Sequence, residues 1–353
     1  MGKYLKLFET HAEYESFISS DYDKPNVSYC EDNNEVHYNP FVPPLPNNII
    51  TYKANEKLTE TTSDKSSGLH TNKFGTTMVS HTFEDGVGTI EFEDDVTSIG
   101  SYAFWSCSNM ANVTLPDSVT NIGNSAFYNC SGLTSITIPN SVITLDGGAF
   151  QGCSSITSII IPDNVTSIGS QAFYYCTSLT SVTIPNGVTS IGDSAFGYCN
   201  GLTSIRIPSG VTSIGSYAFD NTPWWTSYSA DTNNQYGNII YINDIAYRAI
   251  SQSITECSLK NSTKSIAPKA FVYCTGLTSV TIPDSVTSIG ESAFDTCGNL
   301  TSITVESTTP PTLEGSAFSY TNDCPIYVPS TSVETYKAAS GWSDYASRIE
   351  AIP

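Results

Sequence analysis

Residues 133–155 read LTSITIPNSVITLDGGAFQGCSS, and residues 277–299 repeat the same phrase as LTSVTIPDSVTSIGESAFDTCGN. The cysteine near the end of each copy marks a constant step along most of the chain. Seven cysteines follow this 23-residue step in two runs: Cys107, Cys130, Cys153, Cys176 and Cys199, then Cys274 and Cys297. A sequence that repeats at a period of this length predicts a stack of similar structural units.

Each unit contains two short extended segments and one aromatic insertion. In the first segment Leu133, Ile136 and Ile138 alternate toward one side, as in a half-buried strand, and Pro139 ends it. The second segment turns residues such as Val165 and Ile168 inward again. An Ala-Phe pair follows, and its phenylalanines should form a buried column: Phe104, Phe127, Phe150, Phe173, Phe196, Phe219, Phe271, Phe294 and Phe318. One unit buries too little apolar surface to fold alone, so stacking must stabilise the array.

The repeated phrase resembles the BspA-like variety of leucine-rich repeat, whose units read L-x-x-I-x-I-P-x-x-V-x-x-I-G-x-x-A-F-x-x-C. The resemblance covers residues 87 to about 324. It implies an α/β, β-rich solenoid: a right-handed superhelix with a parallel sheet on its concave face and a cap at each end. The family resemblance also implies a bacterial cell-surface or extracellular setting.

Composition changes along the chain predict five segments. Residues 1–38 should form a helix from His11 to Ser19 and a hairpin, and four prolines make residues 39–48 a stiff linker. Residues 49–86 should cap the array, which spans 87–324. Phe219 and Phe271 are 52 residues apart, so an insertion at 225–253 should leave the array and rejoin it near Ile254, with a hairpin around Asn243-Asp244. Residues 325–353 resemble the C-terminal cap of the family, with Trp342 as a plug.

The charge balance excludes two classes of partner. The chain has 14 Lys plus Arg against 34 Asp plus Glu, a net charge of −20. Nucleic acids and anionic membranes both require a basic face, so neither is expected as a partner. No apolar run is long enough for membrane insertion. The N-terminal residues lack the apolar core of a secretion signal, so we expect a mature chain or a non-standard export route.

The residues that could carry chemistry give little support for an enzyme. The cysteine ladder could suggest disulfides or a metal, but parallel side chains pointing into the core favour free buried thiols. The four histidines, His11, His37, His70 and His81, lack metal-ligand spacing, and no catalytic motif appears. Acidic pairs such as Glu91 and Glu93 are typical of a solvated surface. The sequence therefore predicts no catalytic residues, no metal and no cofactor.

Two surfaces are candidates for binding. The outward positions of the concave strip are mostly hydroxyls, interrupted by Ile160, Arg206 and Glu256; this strip indicates either strand propensity or weak multivalent contact. The hydroxyl pairs are Ser135 and Thr137, Ser181 and Thr183, Ser279 and Thr281, and Ser302 and Thr304.

Aromatic residues form the second candidate surface. They occupy the segment after Ala-Phe, as at Trp105, Tyr128, Tyr174, Tyr175, Tyr198 and Tyr273, and the insertion, at Trp224, Trp225, Tyr228, Tyr241 and Tyr247. Exposed, they would be a docking patch for a protein or a glycan. Buried, the insertion residues would instead anchor it to the coils.

These observations favour a non-enzymatic binding or adhesion protein whose partner is a host or microbial surface protein or glycan. A second hypothesis is a structural component of a phage or cell appendage, attached through residues 1–40. A third is a carbohydrate-active enzyme with its site in residues 49–86 or in the insertion. The sequence does not define an oligomeric state.

Overall fold

The computed structural model describes the backbone of residues 27–30 and 35–38 and the whole of residues 46–61 and 67–353. The chain divides into two compact units, Met1–Leu45 and Pro46–Pro353. In the first, β1 (Val27–Cys30) pairs antiparallel with β2 (Glu35–Tyr38), which confirms the two strands of the predicted hairpin. The predicted helix from His11 to Ser19 and linker residues 39–45 lie outside the described residues. No helix in the described part is long and apolar enough to cross a membrane.

The N-terminal cap adds antiparallel strands to the start of the array. Its strands are β3 (Ile49–Ala54), β4 (Glu60–Thr61), β5 (Leu69–His70), β6 (Met78–Glu84) and β7 (Val87–Phe92). β3 lies between β7 and the first strand of the next unit and is antiparallel to both. Ile50 and Tyr52 on β3 are fully buried, because this strand alternates apolar and polar residues. The cap therefore enters the repeat sheet, whereas the sequence predicted that it only covers the first coil.

The last residues of the predicted linker belong to this cap. The carbonyl oxygen of Asn47 accepts a hydrogen bond from the Val96 amide at 2.8 Å, and that of Asn48 accepts one from the Phe92 amide at 2.9 Å. The boundary between the two units therefore lies inside the predicted linker, after Leu45.

Each repeat contributes two short strands that pair parallel with those of the neighbouring coils. Their strands are β8 (Ser98–Ile99), β9 (Met110–Thr114), β10 (Asn121–Ile122), β11 (Ser135–Thr137), β12 (Thr144–Leu145), β13 (Ser167–Ile168), β14 (Ser181–Thr183), β15 (Ser190–Ile191), β16 (Ser204–Arg206) and β17 (Ser213–Ile214). Among the first strands, β9 pairs with β11 in the sheet that also contains β3, β6 and β7, and β14 pairs with β16 in a separate sheet. The second strands β8, β10, β12, β13, β15 and β17 form one six-stranded sheet. Paired residues on neighbouring strands are 23 residues apart in the sequence, as are Ser167 and Ser190. Each coil therefore lies in register with the coil before it.

A third ladder joins the turns that carry Ala-Phe. The amide of Phe104 donates to the carbonyl of Ala126 at 2.7 Å, and the amide of Phe127 donates to that of Ala149 at 2.8 Å. From Phe104 to Phe219 the rings stack at 5.0–5.9 Å with interplanar angles of at most 11°. The predicted phenylalanine column is confirmed, and it resumes from Phe271 to Phe318.

The cysteine ladder lies beside this column. The thiols of Cys130, Cys153, Cys176, Cys199 and Cys297 each donate to a phenylalanine carbonyl of the preceding coil, with Sγ–O distances of 2.9–3.2 Å. Burial raises the pKa of Cys199 and Cys297 to about 12. These thiols are free, neutral and buried, as predicted, and they also satisfy backbone carbonyls.

The insertion lies inside the array. It contains α1 (Pro223–Ala230), β18 (Gln235–Tyr236), β19 (Ile239–Ile242) and β20 (Ile245–Ala249), and the predicted hairpin of β19 with β20 is confirmed. β20 pairs parallel with β21 (Ser265–Ile266) of the next unit, so the second-strand path resumes at Ile245 in a separate sheet that begins with the insertion. The first-strand path resumes near Ile254, as predicted, where the Thr278 amide donates to the Thr255 carbonyl.

The hairpin separates the apolar interior into two clusters. Ile240, Ile242, Ile245 and Tyr247 pack with the N-terminal coils, and Tyr241 is among those that pack with the C-terminal coils. Because both faces are apolar, the hairpin is buried on both sides. The hairpin of β19 and β20 therefore crosses the apolar interior of the array. The prediction that the insertion leaves the array is wrong for these two strands.

The C-terminal cap closes the second cluster. The strands after the insertion are β22 (Ser279–Ile282), β23 (Ser288–Ile289), β24 (Ser302–Val305), β25 (Thr312–Leu313) and β26 (Ile326–Val328). They are followed by α2 (Val333–Ala338) and β27 (Ile349–Ala351). Short 3-10 turns at Thr232–Asn234, Ser330–Ser332 and Trp342–Arg348 complete the elements. Trp342 is fully buried and its Nε1 donates to the Pro311 carbonyl at 2.8 Å, which confirms it as the plug.

Replacing Cys176 with alanine should lower the free energy of unfolding by about 2 kcal/mol, because it removes buried volume and the hydrogen bond to Phe150. Cys176→Val refills the volume without a donor and should recover about half of the loss. Urea unfolding followed by circular dichroism measures both. A stability unchanged in the alanine variant would contradict the role given to the ladder.

Replacing Tyr247 with phenylalanine should destabilise the chain by about 1–2 kcal/mol, because the Tyr247 hydroxyl lies 3.0 Å from the buried Ala218 amide and accepts its hydrogen bond. Tyr236→Phe, at a tyrosine that is 48% exposed, is the control and should change the unfolding midpoint little. Equal effects of the two variants in thermal unfolding would argue against the hairpin as a buried element that stabilises the array.

Candidate binding surfaces

Most of the hydroxyl strip is exposed, as the sequence predicted, although Ser302 and Thr304 are half-buried. Of the three larger side chains predicted on the strip, Glu256 is exposed near the insertion, and the other two lie together. Ile160 is 84% exposed, and Arg206 is also exposed. Thr183 pairs with Arg206, and Ile160 precedes Thr183 by one 23-residue step, so the three lie on one row. The two predicted site residues on this strip are thus near each other, about 10 Å apart at the spacing of parallel strands.

The predicted aromatic patch on the insertion is largely buried. Trp225 is 8% exposed and Tyr241 and Tyr247 are each 2% exposed, while Trp224 and Tyr228 are half-buried against the N-terminal core. Trp225 stands 23 residues after Leu202, so it takes the place of the leucine of the next unit. Its side chain fills the core for that reason. Of the two alternatives, the burial of Trp225, Tyr241 and Tyr247 favours anchoring and leaves these three side chains little surface for docking.

Further contacts tie the aromatic residues of the insertion to the coils. The hydroxyl of Tyr228 donates to the Tyr241 carbonyl at 2.8 Å, and burial raises the pKa of Tyr228. Arg248 pairs with Asp220 at 2.8 Å and lies 5.2 Å from the ring of Trp225. These contacts leave few of the polar groups free for a partner.

The cap contains one cluster of titratable side chains. The Tyr52 hydroxyl lies 2.8 Å from His81 Nε2, and His81 Nδ1 lies 2.7 Å from Glu60 Oε1. Desolvation lowers the pKa of His81, whose side chain is only 1% exposed, and the Tyr52 hydroxyl also accepts the Leu58 amide at 3.0 Å. This network joins β3, β4 and β6 within the cap. Among residues 46–61 and 67–353, no group of three potential ligands could hold a metal.

A different aromatic surface lies on the turns, which we call the turn face: the side chains of the two residues that follow Phe in each unit. The second of these residues has a positive φ in every coil that carries the motif. These positions are Ser106, Asn129, Gly152, Tyr175, Tyr198, Asn221, Tyr273, Thr296 and Tyr320. Glycine and asparagine suit this left-handed backbone, whereas a tyrosine there is strained by about 1 kcal/mol or more.

The tyrosines at these strained positions are exposed. Tyr175 is 44% exposed, Tyr198 37%, Tyr273 55% and Tyr320 80%. Tyr175 and Tyr198 stack at 4.7 Å with an interplanar angle of 16°, and Tyr174 packs edge-on against Tyr175 at 4.7 Å. The sequence predicted that these aromatic residues share one segment of the repeat. It did not predict their backbone angles, because these depend on the turn geometry.

The fold and these surfaces define a repeat protein built on a leucine-rich solenoid. The model of the BspA type leucine rich repeat region matches in six copies, over residues 78–199, 166–241 and 240–340. The chain therefore belongs to the BspA-type leucine-rich repeat family, which is a family of repeat scaffolds and not of enzymes.

Several solved structures are similar to the chain. A leucine-rich repeat protein from Bacteroides ovatus is 25% identical, with 77% of this chain and 70% of that one covered and a TM-score of 0.38. A leucine-rich cell surface protein from Faecalibacterium prausnitzii is 25% identical, covering 78% and 90%, with a TM-score of 0.37. A leucine-rich repeat protein from T. pallidum is 28% identical, covering 52% and 73%, with a TM-score of 0.38. No curated protein sequence matches the chain.

Replacing Thr296 with asparagine should raise the free energy of unfolding by about 1 kcal/mol, because Thr296 has a φ of 61° and β-branched residues tolerate this angle poorly. Asparagine already occupies the equivalent positions 129 and 221. Thr275→Asn, at a nearby exposed position without a positive φ, should give no such gain. Urea denaturation distinguishes the two, and a loss of stability in Thr296→Asn would contradict the strain argument.

Proposed function

We propose that the chain is a non-enzymatic binding protein of the bacterial cell surface or extracellular space, whose repeat scaffold presents the turn face to a host or microbial partner. The observation that carries this proposal is the set of exposed tyrosines on left-handed backbone. Each lies on backbone that strains a side chain, and between 37% and 80% of its surface stays exposed. Strain without a return in stability is typical of positions retained for function.

The rigid array gives such tyrosines a fixed arrangement. Three backbone ladders join the coils that carry Tyr174, Tyr175 and Tyr198, so these side chains keep their mutual geometry without a partner. Aromatic side chains offer a large contact area and lose little conformational entropy on binding. A pre-organised patch of this kind favours binding over a patch on a mobile loop.

The proposal assigns a lesser part to the hydroxyl strip. Serine and threonine contribute little to most interfaces, and Ile160 with Arg206 supplies the only larger side chains on its central row from Thr114 to Arg206. We therefore expect this strip to add modest contacts to a partner that is held mainly elsewhere. The net charge of −20 makes an anionic partner unfavourable on either surface.

The test is binding of the purified chain to immobilised surface glycoproteins, the same proteins without glycans, and free oligosaccharides. Wild type should bind at least one member, and the double variant Y175N/Y198N should lose at least tenfold in affinity because the stacked rings are gone. T296N is the matched control, since it places asparagine at the same position of a distant coil. Wild type binding nothing, or equal binding by Y175N/Y198N, would contradict the proposal.

A further inference from the structure

A short segment of the cap lies against the start of the array. We call it the strap: residues 55–61, which follow β3 and end with β4. Leu58 in its middle is 3% exposed and belongs to the N-terminal apolar cluster. The carbonyl of Thr59 accepts the Leu69 amide at 2.8 Å, and the side-chain amide of Asn109 donates to the Glu56 carbonyl at 3.4 Å. The strap is therefore attached by one buried leucine and by individual hydrogen bonds.

A chain of hydrogen bonds fastens the strap to the sheet, and its direction is fixed at both ends. The Leu58 amide, which can only donate, lies 3.0 Å from the Tyr52 hydroxyl. The Glu60 carboxylate, which can only accept when ionised, lies 2.7 Å from His81 Nδ1. Every group is satisfied when His81 is neutral with its proton on Nδ1, because Tyr52 can then donate to Nε2 across 2.8 Å.

The central hydrogen bond of this chain is shielded from solvent. β3 and β6 lie on opposite sides of β7, so the ring of Tyr52 crosses β7 to reach His81. Gly88 of β7 makes room for the ring, since a Cβ there would lie 1.9 Å from Tyr52 Cζ. Tyr52 and the His81 side chain are each 1% exposed, and Phe83 stacks on the Tyr52 ring at 6.1 Å. A lost hydrogen bond here is therefore not replaced by water.

We propose that this chain is an acid-sensitive latch, in which protonation of His81 releases the strap while the repeat coils stay folded. A protonated ring donates from both nitrogens. Its Nε2–H would then point at the Tyr52 oxygen, which already accepts the Leu58 amide, and the hydroxyl proton of Tyr52 would lose its acceptor. The latch lies in the cap, apart from the turn face, so it acts without any ligand bound there.

The charges around His81 favour release on acidification. The ionisable groups near the chain come from three elements: Glu60 and Lys57 from the strap, Tyr52 from β3, and Cys107 from the first coil, next to Tyr52. Desolvation lowers the pKa of His81 below its ordinary value of 6.5, and the attraction of Glu60 does not fully offset it. Burial acts to raise the pKa of Glu60, but the hydrogen bond from His81 and the pair with Lys57 at 3.4 Å outweigh it and lower that pKa.

The sign of the pH dependence follows from these two directions. A released His81 takes up a proton near pH 6.5, whereas the closed strap resists protonation, so the closed form loses stability as the pH falls below 6.5. Glu60 acts in the same direction at lower pH, because its carboxylate is favoured in the closed form. The strap should therefore be closed at neutral pH and open increasingly as the solution becomes acidic.

Hydrogen–deuterium exchange of the whole chain, followed by mass spectrometry at pH 7 and pH 5 and corrected for intrinsic exchange rates, tests the latch. In wild type, residues 55–61 should exchange about threefold or more faster at pH 5. A peptide from the coils, residues 180–199, should change by less than about twofold. His81→Gln keeps a side-chain donor and acceptor but does not titrate, so it should abolish the acceleration. The control Glu91→Gln removes an exposed carboxylate from β7 and should retain it.

A second measurement does not depend on the folding of a variant. The chain has four histidines, whose ring signals can be followed by NMR across the same pH range. His81 should be neutral with its proton on Nδ1 at pH 7, and its titration should coincide with the faster exchange of the strap. The latch is overturned by equal exchange of the strap at both pH values, by acceleration that persists in His81→Gln, by equal acceleration in the coils, or by a His81 already charged at pH 7.

Discussion

The structure depends on one constraint, the registration of each coil on the last at a step of 23 residues. Two parallel strand ladders and the turn ladder use the same step, as do the phenylalanine column and the thiol bonds. No unit satisfies its own backbone or buries its own apolar face, so the hydrogen bonds of each coil are completed only by its neighbour. Surface side chains at equivalent positions of successive coils therefore also lie in regular rows, one coil apart.

Much of the fold could be predicted because periodicity reports the register directly. Phe150, Cys153 and Trp342 stand where the pattern of the sequence put them. The prediction that the insertion leaves the array followed from its length, although Trp225 keeps the leucine position and the run from Ile239 to Ile242 is apolar on both faces. Consecutive apolar residues of this kind indicate a strand buried on both sides. The antiparallel entry of β3 had no such signal.

The candidate surface was harder to predict than the fold. The sequence showed which residues follow Ala-Phe, but the positive φ of Tyr175 and Tyr198 arises from the turn geometry. The positive φ recurs in every coil that carries the motif, so the departure from the repeat is the tyrosine side chain at that position. In an array whose period accounts for stability, departures that bring no packing are where a proposed binding role is best sought.

Deletion of one whole period tests the central claim most directly. Removing residues 157–179 joins Ile156 to Thr180 and leaves every later coil in register, so the shortened chain should fold with the same circular dichroism per residue and a cooperative transition. Removing residues 157–176 takes out three residues fewer and breaks the step, and it should disrupt the array. A 23-residue deletion that unfolds, or two deletions that behave alike, would contradict the account.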